Sequence, residues 1–240
     1  MNTDEGLSDE DLDELEGILS ELEMCLAEGD LEGARSALET AVEMAGAEDP
    51  DVRYGRALIA QETGDLETAV SELKLALEVD PDFADAHYAL ALLYEELEDQ
   101  PSAVHHFLRT RALDARLDTE RNLEDPAEIE RIENVARETI ESLPPEFAER
   151  LKEVPLILEP RPSRNLVETG FDPRAFGLFE GPEHGRDDVP APTRVVIYTS
   201  NLLANFADDE LEEQVETTVL HEVGHYFGLD EDDMERLGLE

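Results

Sequence analysis

The chain has few positive charges. Its 18 Lys and Arg residues stand against 63 Asp and Glu residues, and only Lys74 and Lys152 are lysines. The formal net charge of -45 repels nucleic-acid phosphates and anionic lipids, which argues against nucleic acid and membranes as partners. Two explanations of the acidity stay open, a surface built for a basic partner or a salt-adapted proteome. Because the acids run through every segment, we favour salt adaptation.

Cysteine and long apolar runs are also scarce. The single cysteine, Cys25, excludes an intrachain disulfide framework and is expected to be a small core side chain. The sequence contains no run of about 18 apolar residues that could span a membrane. The acidic N-terminal segment, residues 1–13, lacks the basic and apolar regions of a signal peptide. The sequence therefore predicts a cytoplasmic protein, and its 240 residues suggest two domains.

A repeat of about 34 residues occupies the first half of the chain. The segments GDLEGA, GDLETA and EDQPSA end at Ala34, Ala69 and Ala103, which are 35 and 34 residues apart. Further alanines recur at matching positions: Ala41 with Ala76, and Ala57 with Ala91. This period is typical of stacked helix-turn-helix units, in which small residues let two helices approach closely.

The pattern resembles the tetratricopeptide repeat across residues 14–116. The resemblance implies a concave groove that holds a peptide or a partner's helix. Tyr54 and Tyr88 occupy matching positions on the first helices of two units, where such repeats expose side chains to the groove. They either contact a ligand or fill space between helices. Because the groove carries mostly acids, we expect a basic or apolar protein partner.

A different pattern follows a predicted linker at residues 117–125. Asp125 and Pro126 suit the N-cap and first position of a helix. PPEFAERLKEV begins a shorter helix and VPLILE suits a strand. A loop rich in Gly and Pro is expected from there to Pro192.

The last part of the chain predicts one strand and one long helix. TRVVIYT is rich in β-branched residues and reads as a strand. Asp209 and Glu212 have the spacing of a capping box that opens the helix, which reaches Phe227 before Gly228 stops it. Residues 126–240 are therefore expected to form the second domain.

The long helix carries His221-Glu222-Val223-Gly224-His225, the H-E-x-x-H spacing of a zinc site. Val215, Val219 and Val223 form an apolar stripe, and His221 falls about 200° from Val219 on the helix. The helix can therefore bury one face and present both imidazoles to one ion. Glu222 is placed to take a proton from water that attacks a carbonyl and to pass that proton to the leaving amine.

Residues from about 127 to 240 resemble the minimal zincin metallopeptidase-like domains. The resemblance rests on LPPEFAERLKEVPLILEP, FGLFEG, VVIYTSNLLANF and TTVLHEVGHYFGLDEDDMERLG. It implies a compact α/β domain with a small sheet against the active-site helix, Zn²⁺ as the cofactor, and peptidase activity.

The third zinc ligand is predicted at Glu231. The family's pattern, H-E-x-x-H-x-x-G-x-x-D, implies an acidic ligand there, and glutamate is one methylene longer. The spacing also favours it, since Asp230 and Asp233 fit a capping pair that leaves Glu231 free to face the zinc. Asp233 and Asp230 stay open as alternatives, and His184 is a rival ligand in a loop.

Two tyrosines are candidates for stabilising the developing oxyanion. Tyr198 lies on the predicted strand and Tyr226 beside the second histidine, and either can donate a hydrogen bond or can be a packing residue. If TRVVIYT is a sheet edge, it can also bind a substrate peptide as an added strand.

The sequence predicts an α+β fold, mostly α: a tetratricopeptide-like helical array followed by a small zincin-like α/β domain. The function that fits is zinc-dependent hydrolysis of a peptide amide bond, with the repeats recruiting a partner or substrate. The alternative is a protein-interaction adaptor whose zincin domain binds metal but turns over weakly or not at all. An intact Glu222 favours the enzyme.

Overall fold

The computed structural model describes residues 8–181 and 193–229. The chain divides into two compact units, residues 1–113 and 114–240. The fold is mostly helical with one small sheet in the C-terminal unit, which confirms the predicted fold class. A search of residues 8–181 and 193–229 finds no candidate for a membrane-spanning helix.

The first unit consists of consecutive helices joined by short turns. They are α1 Asp9–Ala27, α2 Leu31–Ala45, α3 Pro50–Glu62, α4 Leu66–Val79, α5 Ala84–Glu96 and α6 Gln100–Arg121, which continues past residue 113. The repeated alanines are buried where helices meet, as the period predicts: Ala34, Ala41, Ala57, Ala69, Ala76, Ala91 and Ala103. A larger side chain at these positions would separate the helices.

The turns inside the repeats share one geometry. Asp30 and Asp65 cap α2 and α4 by accepting hydrogen bonds from the backbone N–H groups of Gly33 (3.0 Å) and Thr68 (3.2 Å). The residue before each cap has a positive φ, 74° at Gly29 and 78° at Gly64. Glu98 takes the same place before α6 with φ 57°, so a glutamate adopts a conformation that glycine adopts more easily.

In the described part of the second unit, five helices and three strands follow α6. They are α7 Pro126–Ser142, α8 Pro145–Leu151, β1 Leu156–Glu159, α9 Arg164–Val167, β2 Gly177–Glu180, β3 Arg194–Tyr198, α10 Thr199–Asn205 and α11 Leu211–Tyr226. As predicted, Asp125 caps α7, accepting from the Ala127 N–H at 2.8 Å. Gly228 follows α11 with φ 80°, which explains why the helix ends there.

The sheet has the order β1-β3-β2, with β1 parallel and β2 antiparallel to β3. The edge-strand hypothesis for TRVVIYT is therefore wrong. Strand β3 lies in the centre with both hydrogen-bonding sides paired, so it has no side left for a substrate strand. Its nearly continuous burial suits a central strand.

Three local predictions differ from the structure. Residues 117–121 of the expected linker continue α6, and only residues 122–125 are non-helical. The expected loop before Pro192 contains α9 and β2. Helix α11 begins at Leu211 with Glu210 as its N-cap, so the Asp209 capping box does not form; the Glu212 carboxylate instead accepts from Arg131 Nε at 3.0 Å. The boundaries 14–116 and 126–240 themselves stay predictions.

A buried ion network joins α6 to the sheet of the second unit. Arg161 follows β1 and is 7% exposed. Its Nε and Nη2 donate to the Asp118 carboxylate, and its Nη1 donates to Asp114 Oδ2 at 3.2 Å. Asp114 and Asp118 are also buried. The C-terminal part of α6 therefore supplies the counter-charges of a buried arginine.

Replacing Asp118 with alanine should destabilise the second unit. Asp118→Ala leaves the Arg161 guanidinium buried with one carboxylate fewer, and breaking a buried ion pair costs about 3–5 kcal/mol. The control is Glu120→Ala on the same helix, whose pair with Arg116 is exposed; it should change stability by less than about 1 kcal/mol. Denaturant unfolding of the two variants measures the difference, and equal effects would contradict the role assigned to the network.

Candidate metal centre

Helix α11 is fixed by its apolar face. Val215, Val219 and Val223 are buried as predicted, and they belong to a core that includes Ile132 of α7 and Ile197 of β3. Because the valines recur every fourth residue, they set the rotation of the helix. The histidines on the other side of α11 are thereby directed away from this core and towards a cavity.

The two imidazoles of the H-E-x-x-H sequence converge. The Nε2 atoms of His221 and His225 lie 3.0 Å apart, and the rings meet nearly at right angles, with centroids separated by 4.6 Å. Two nitrogens bound to one tetrahedral zinc at about 2.05 Å are about 3.3 Å apart. The arrangement therefore fits a shared metal ion with a small outward movement of one ring. His221 and His225 would hold the ion.

The third ligand is not identified by the structure. Within residues 8–181 and 193–229, no group of three or more His, Cys, Asp or Glu side chains is arranged to hold a metal. Glu231, Asp230, Asp233 and the rival His184 all lie outside the described residues. Glu231 therefore stays a prediction.

The Glu222 side chain extends from α11 towards the edge strand β2. It is 7% exposed and lines the same cavity as both histidines. Its Oε2 accepts a hydrogen bond from the Phe179 N–H of β2. This bond orients the carboxylate beside the two imidazoles, where the proposed proton transfer needs it.

Gly177 of β2 is what lets Glu222 lie so close to the strand. A Cβ at position 177 would lie 2.7 Å from both Cγ and Oε1 of Glu222 and 2.9 Å from the Thr218 methyl. Those distances are shorter than van der Waals contact, so either the carboxylate or the strand would have to move. A glycine inside a strand is a known sign of such an approach, and FGLFEG contained that sign. This role of Gly177 is not among those expected from the sequence.

A cavity of about 510 Å³ adjoins the imidazoles. Its apolar wall comes from β2 and the segment before it, and its other wall comes from α11. The lining residues are Phe171, Ala175, Phe176, Gly177, Leu178, Phe179, Gln214, Thr217, Thr218, His221, Glu222 and His225. A cavity of this size suits a small ligand or a peptide side chain.

The two oxyanion candidates lie in packed surroundings. Tyr198 is buried at the end of β3, with its ring 6.2 Å from that of Phe171, and burial raises the pKa of its hydroxyl well above the usual range. Tyr226 packs against Phe179 and Phe227. The described lining of the cavity includes neither tyrosine. These contacts favour the packing alternative, and the oxyanion role stays untested.

The groove tyrosines of the first unit are both half-buried. Tyr54 donates to the Glu23 carboxylate at 3.0 Å and packs against Phe83, with ring centroids 5.3 Å apart. The Tyr88 ring lies 6.1 Å from that of Phe107. Each ring thus has a packing role, and ligand contact through the exposed part stays a prediction.

Comparison with known protein families agrees with this arrangement. Residues 151–239 match a family model described as zincin-like metallopeptidase, and residues 55–97 match one described as TPR repeat. A search of curated proteins found no match. The two family matches confirm the resemblances stated from the sequence, in the order in which they were predicted.

For the peptidase activity that the zincin-like match suggests, substituting Gly177 should damage catalysis more than metal binding. In Gly177→Ala the new methyl displaces Glu222, while His221 and His225 stay on a helix held by its valines. We expect zinc content to be retained and kcat for peptide cleavage to fall by about 10²-fold or more, the usual contribution of a positioned general base. Gly33→Ala, on α2 in the repeats, is a control for a crowded glycine far from the histidines in sequence. Unchanged cleavage by Gly177→Ala would contradict the proposed placement.

Proposed function

We propose that the protein is a zinc-dependent metallopeptidase that hydrolyses a peptide amide bond and uses its repeats to recruit a substrate or partner. The observation that carries the proposal is the arrangement on α11: two Nε2 atoms 3.0 Å apart beside a buried carboxylate, all lining one cavity. The match to a zincin-like metallopeptidase model supports the same chemistry.

Each part of the candidate site has a distinct role in the proposed reaction. A zinc ion, when bound, supplies a Lewis acid that polarises the scissile carbonyl and acidifies water. Glu222, oriented by the Phe179 N–H, takes the proton of the attacking water and returns it to the amine that leaves. The rings of Phe171, Phe176 and Phe179 give the cavity an apolar side, which a substrate side chain entering it would contact.

Charge supports a basic partner for the groove. Asp51 and Asp85 each lie three residues before a groove tyrosine in the sequence. Burial, and then the neighbouring carboxylates Asp49, Asp80 and Asp85, raise the pKa of Asp51 to about 6. Like charges therefore crowd this surface, and a Lys or Arg side chain from a partner would relieve their repulsion.

The first test replaces the proposed base. Glu222→Gln keeps an oxygen that can accept from Phe179 but cannot take a proton, so zinc should be retained while cleavage falls by about 10²–10⁴-fold. Glu216→Gln, an exposed change on the same helix, should cleave as the wild type does. A peptide library measures turnover, and metal analysis measures zinc. If wild type and Glu222→Gln are both inactive although zinc is bound, the adaptor alternative replaces the enzyme.

The second test identifies the third ligand. Glu231→Ala should weaken zinc binding by orders of magnitude, because two imidazoles and water would remain. Asp230→Ala and Asp233→Ala should keep the metal and lose about 0.5–2 kcal/mol of stability, the cost of a lost helix cap. Zinc content of the three purified variants separates them. Metal loss in Asp233→Ala with retention in Glu231→Ala would move the ligand to position 233.

A further inference from the structure

The wall of the cavity opposite α11 is formed by β2 and by the short segment before it, residues 171–176, which we call the wall segment. It contributes Phe171, Ala175 and Phe176 to the lining and leads directly into β2 at Gly177. Its position therefore sets the width of the cavity and also the place where β2 meets Glu222.

Asn201 of α10 holds the wall segment by its backbone. The Asn201 side chain is fully buried, and its Nδ2 donates to the carbonyls of Pro173 (3.0 Å) and Ala175 (2.6 Å). Its Oδ1 accepts from Arg161 Nη1. One amide therefore joins the wall segment to the buried arginine.

A second contact holds the wall segment through the side chain of Arg174, which belongs to the segment. Arg174 donates from Nε and Nη2 to the two oxygens of Asp114, at 3.0 and 3.1 Å. Asp114 also accepts from Arg161. The two arginines thus share one aspartate of α6, and the wall segment is held from two directions.

Burying so many charges contributes little to stability by itself. Apolar residues of similar volume often stabilise a core as much as a buried ion pair does, because charges lose their hydration. What such a network adds is a fixed geometry, since each guanidinium bonds its carboxylates in a defined plane. Here the network fixes Asn201, and Asn201 in turn fixes the positions of the Pro173 and Ala175 carbonyls.

The chemistry of the cavity indicates what the wall segment selects. The ionisable groups in its described lining are His221, Glu222 and His225, and that lining contains no Lys or Arg. An acidic side chain entering the cavity would find no Lys or Arg among these residues and would lie near the Glu222 carboxylate. The rings of Phe171 and Phe176 offer apolar contact instead, which suits a large uncharged side chain such as Phe or Leu.

We propose that Asn201 is a positioning residue that fixes the wall segment and thereby gives the peptidase a preference for a large apolar side chain next to the cleaved bond. The proposal rests on the proposed function and adds a substrate class to it. Asn201 acts at a distance from the reacting atoms, through the carbonyls of Pro173 and Ala175.

The test is Asn201→Asp, compared with Asn205→Asp. The first variant keeps an oxygen for Arg161 but loses both donors to the wall segment. Asn205 lies on the same helix, is exposed, and donates instead to the Asn201 carbonyl. The substrates are the best-cleaved library peptide remade with Phe, Leu, Ala or Glu at each position flanking the cut.

For the wild type and Asn205→Asp we expect kcat/KM to favour Phe and Leu over Ala by at least about tenfold, the usual range for apolar pockets. In Asn201→Asp this ratio should fall towards one, mainly through KM, with zinc content unchanged. Hydrogen exchange of the backbone amides of residues 174–179 should also become faster. A retained preference with unchanged exchange would overturn the proposal.

Three other outcomes also test the proposal about Asn201. If the wild type cleaves peptides without regard to the flanking side chain, the substrate class is wrong and the peptidase proposal stands. If the wild type cleaves nothing, the peptidase proposal fails; binding of matched Phe and Ala peptides to the metal-free protein then decides whether the cavity selects apolar side chains. If Asn201→Asp does not fold, Asn201→Ser takes its place, because it introduces no buried charge and removes the amide that donates to Pro173 and Ala175; the same outcomes apply to it.

Discussion

The packing of the α11 valines into the core of the second unit is the constraint on which the candidate site depends. Val215, Val219 and Val223 fill the space beside α7 and β3, so the helix cannot rotate without exposing apolar surface. Both imidazoles and the Glu222 carboxylate are placed by that packing. The close approach of β2 at Gly177 then completes the arrangement from the other side.

Much of the fold and of the candidate site could be predicted from local sequence patterns. The valine stripe, the H-E-x-x-H spacing, the caps at Asp125 and Gly228 and the repeat alanines are all set by residues close in sequence, and the structure has the helices and contacts that they predict. What the sequence could not supply were pairings between distant residues. Strand β2 is four residues long within a loop rich in Gly and Pro, and only its pairing with β3 shows it to be a strand.

The start of α11 was predicted wrongly for the same reason, because it involves a contact between residues that are distant in sequence. Asp209 and Glu212 have suitable spacing, but Arg131, from a helix about 80 residues earlier, binds Glu212. The arginine network is likewise invisible to periodicity, because Asp114, Arg161, Arg174 and Asn201 meet only in the folded chain. In a chain with so few cations, several arginines are used in ion pairs inside the fold. Arg53, for example, bonds Glu72 at 3.0 Å in the repeats.

The continuation of α6 past residue 113 bears on how the protein can be divided for expression. A fragment that starts at Pro126, where the sequence suggests a new domain, omits both carboxylates that neutralise Arg161. Among the described residues, that fragment would leave the buried guanidinium with the Asn201 amide oxygen as its acceptor. A fragment that starts before Asp114 retains the carboxylates and the Arg174 tether. The last turns of a helix that begins among the repeats therefore belong to the compact unit that carries the candidate metal centre.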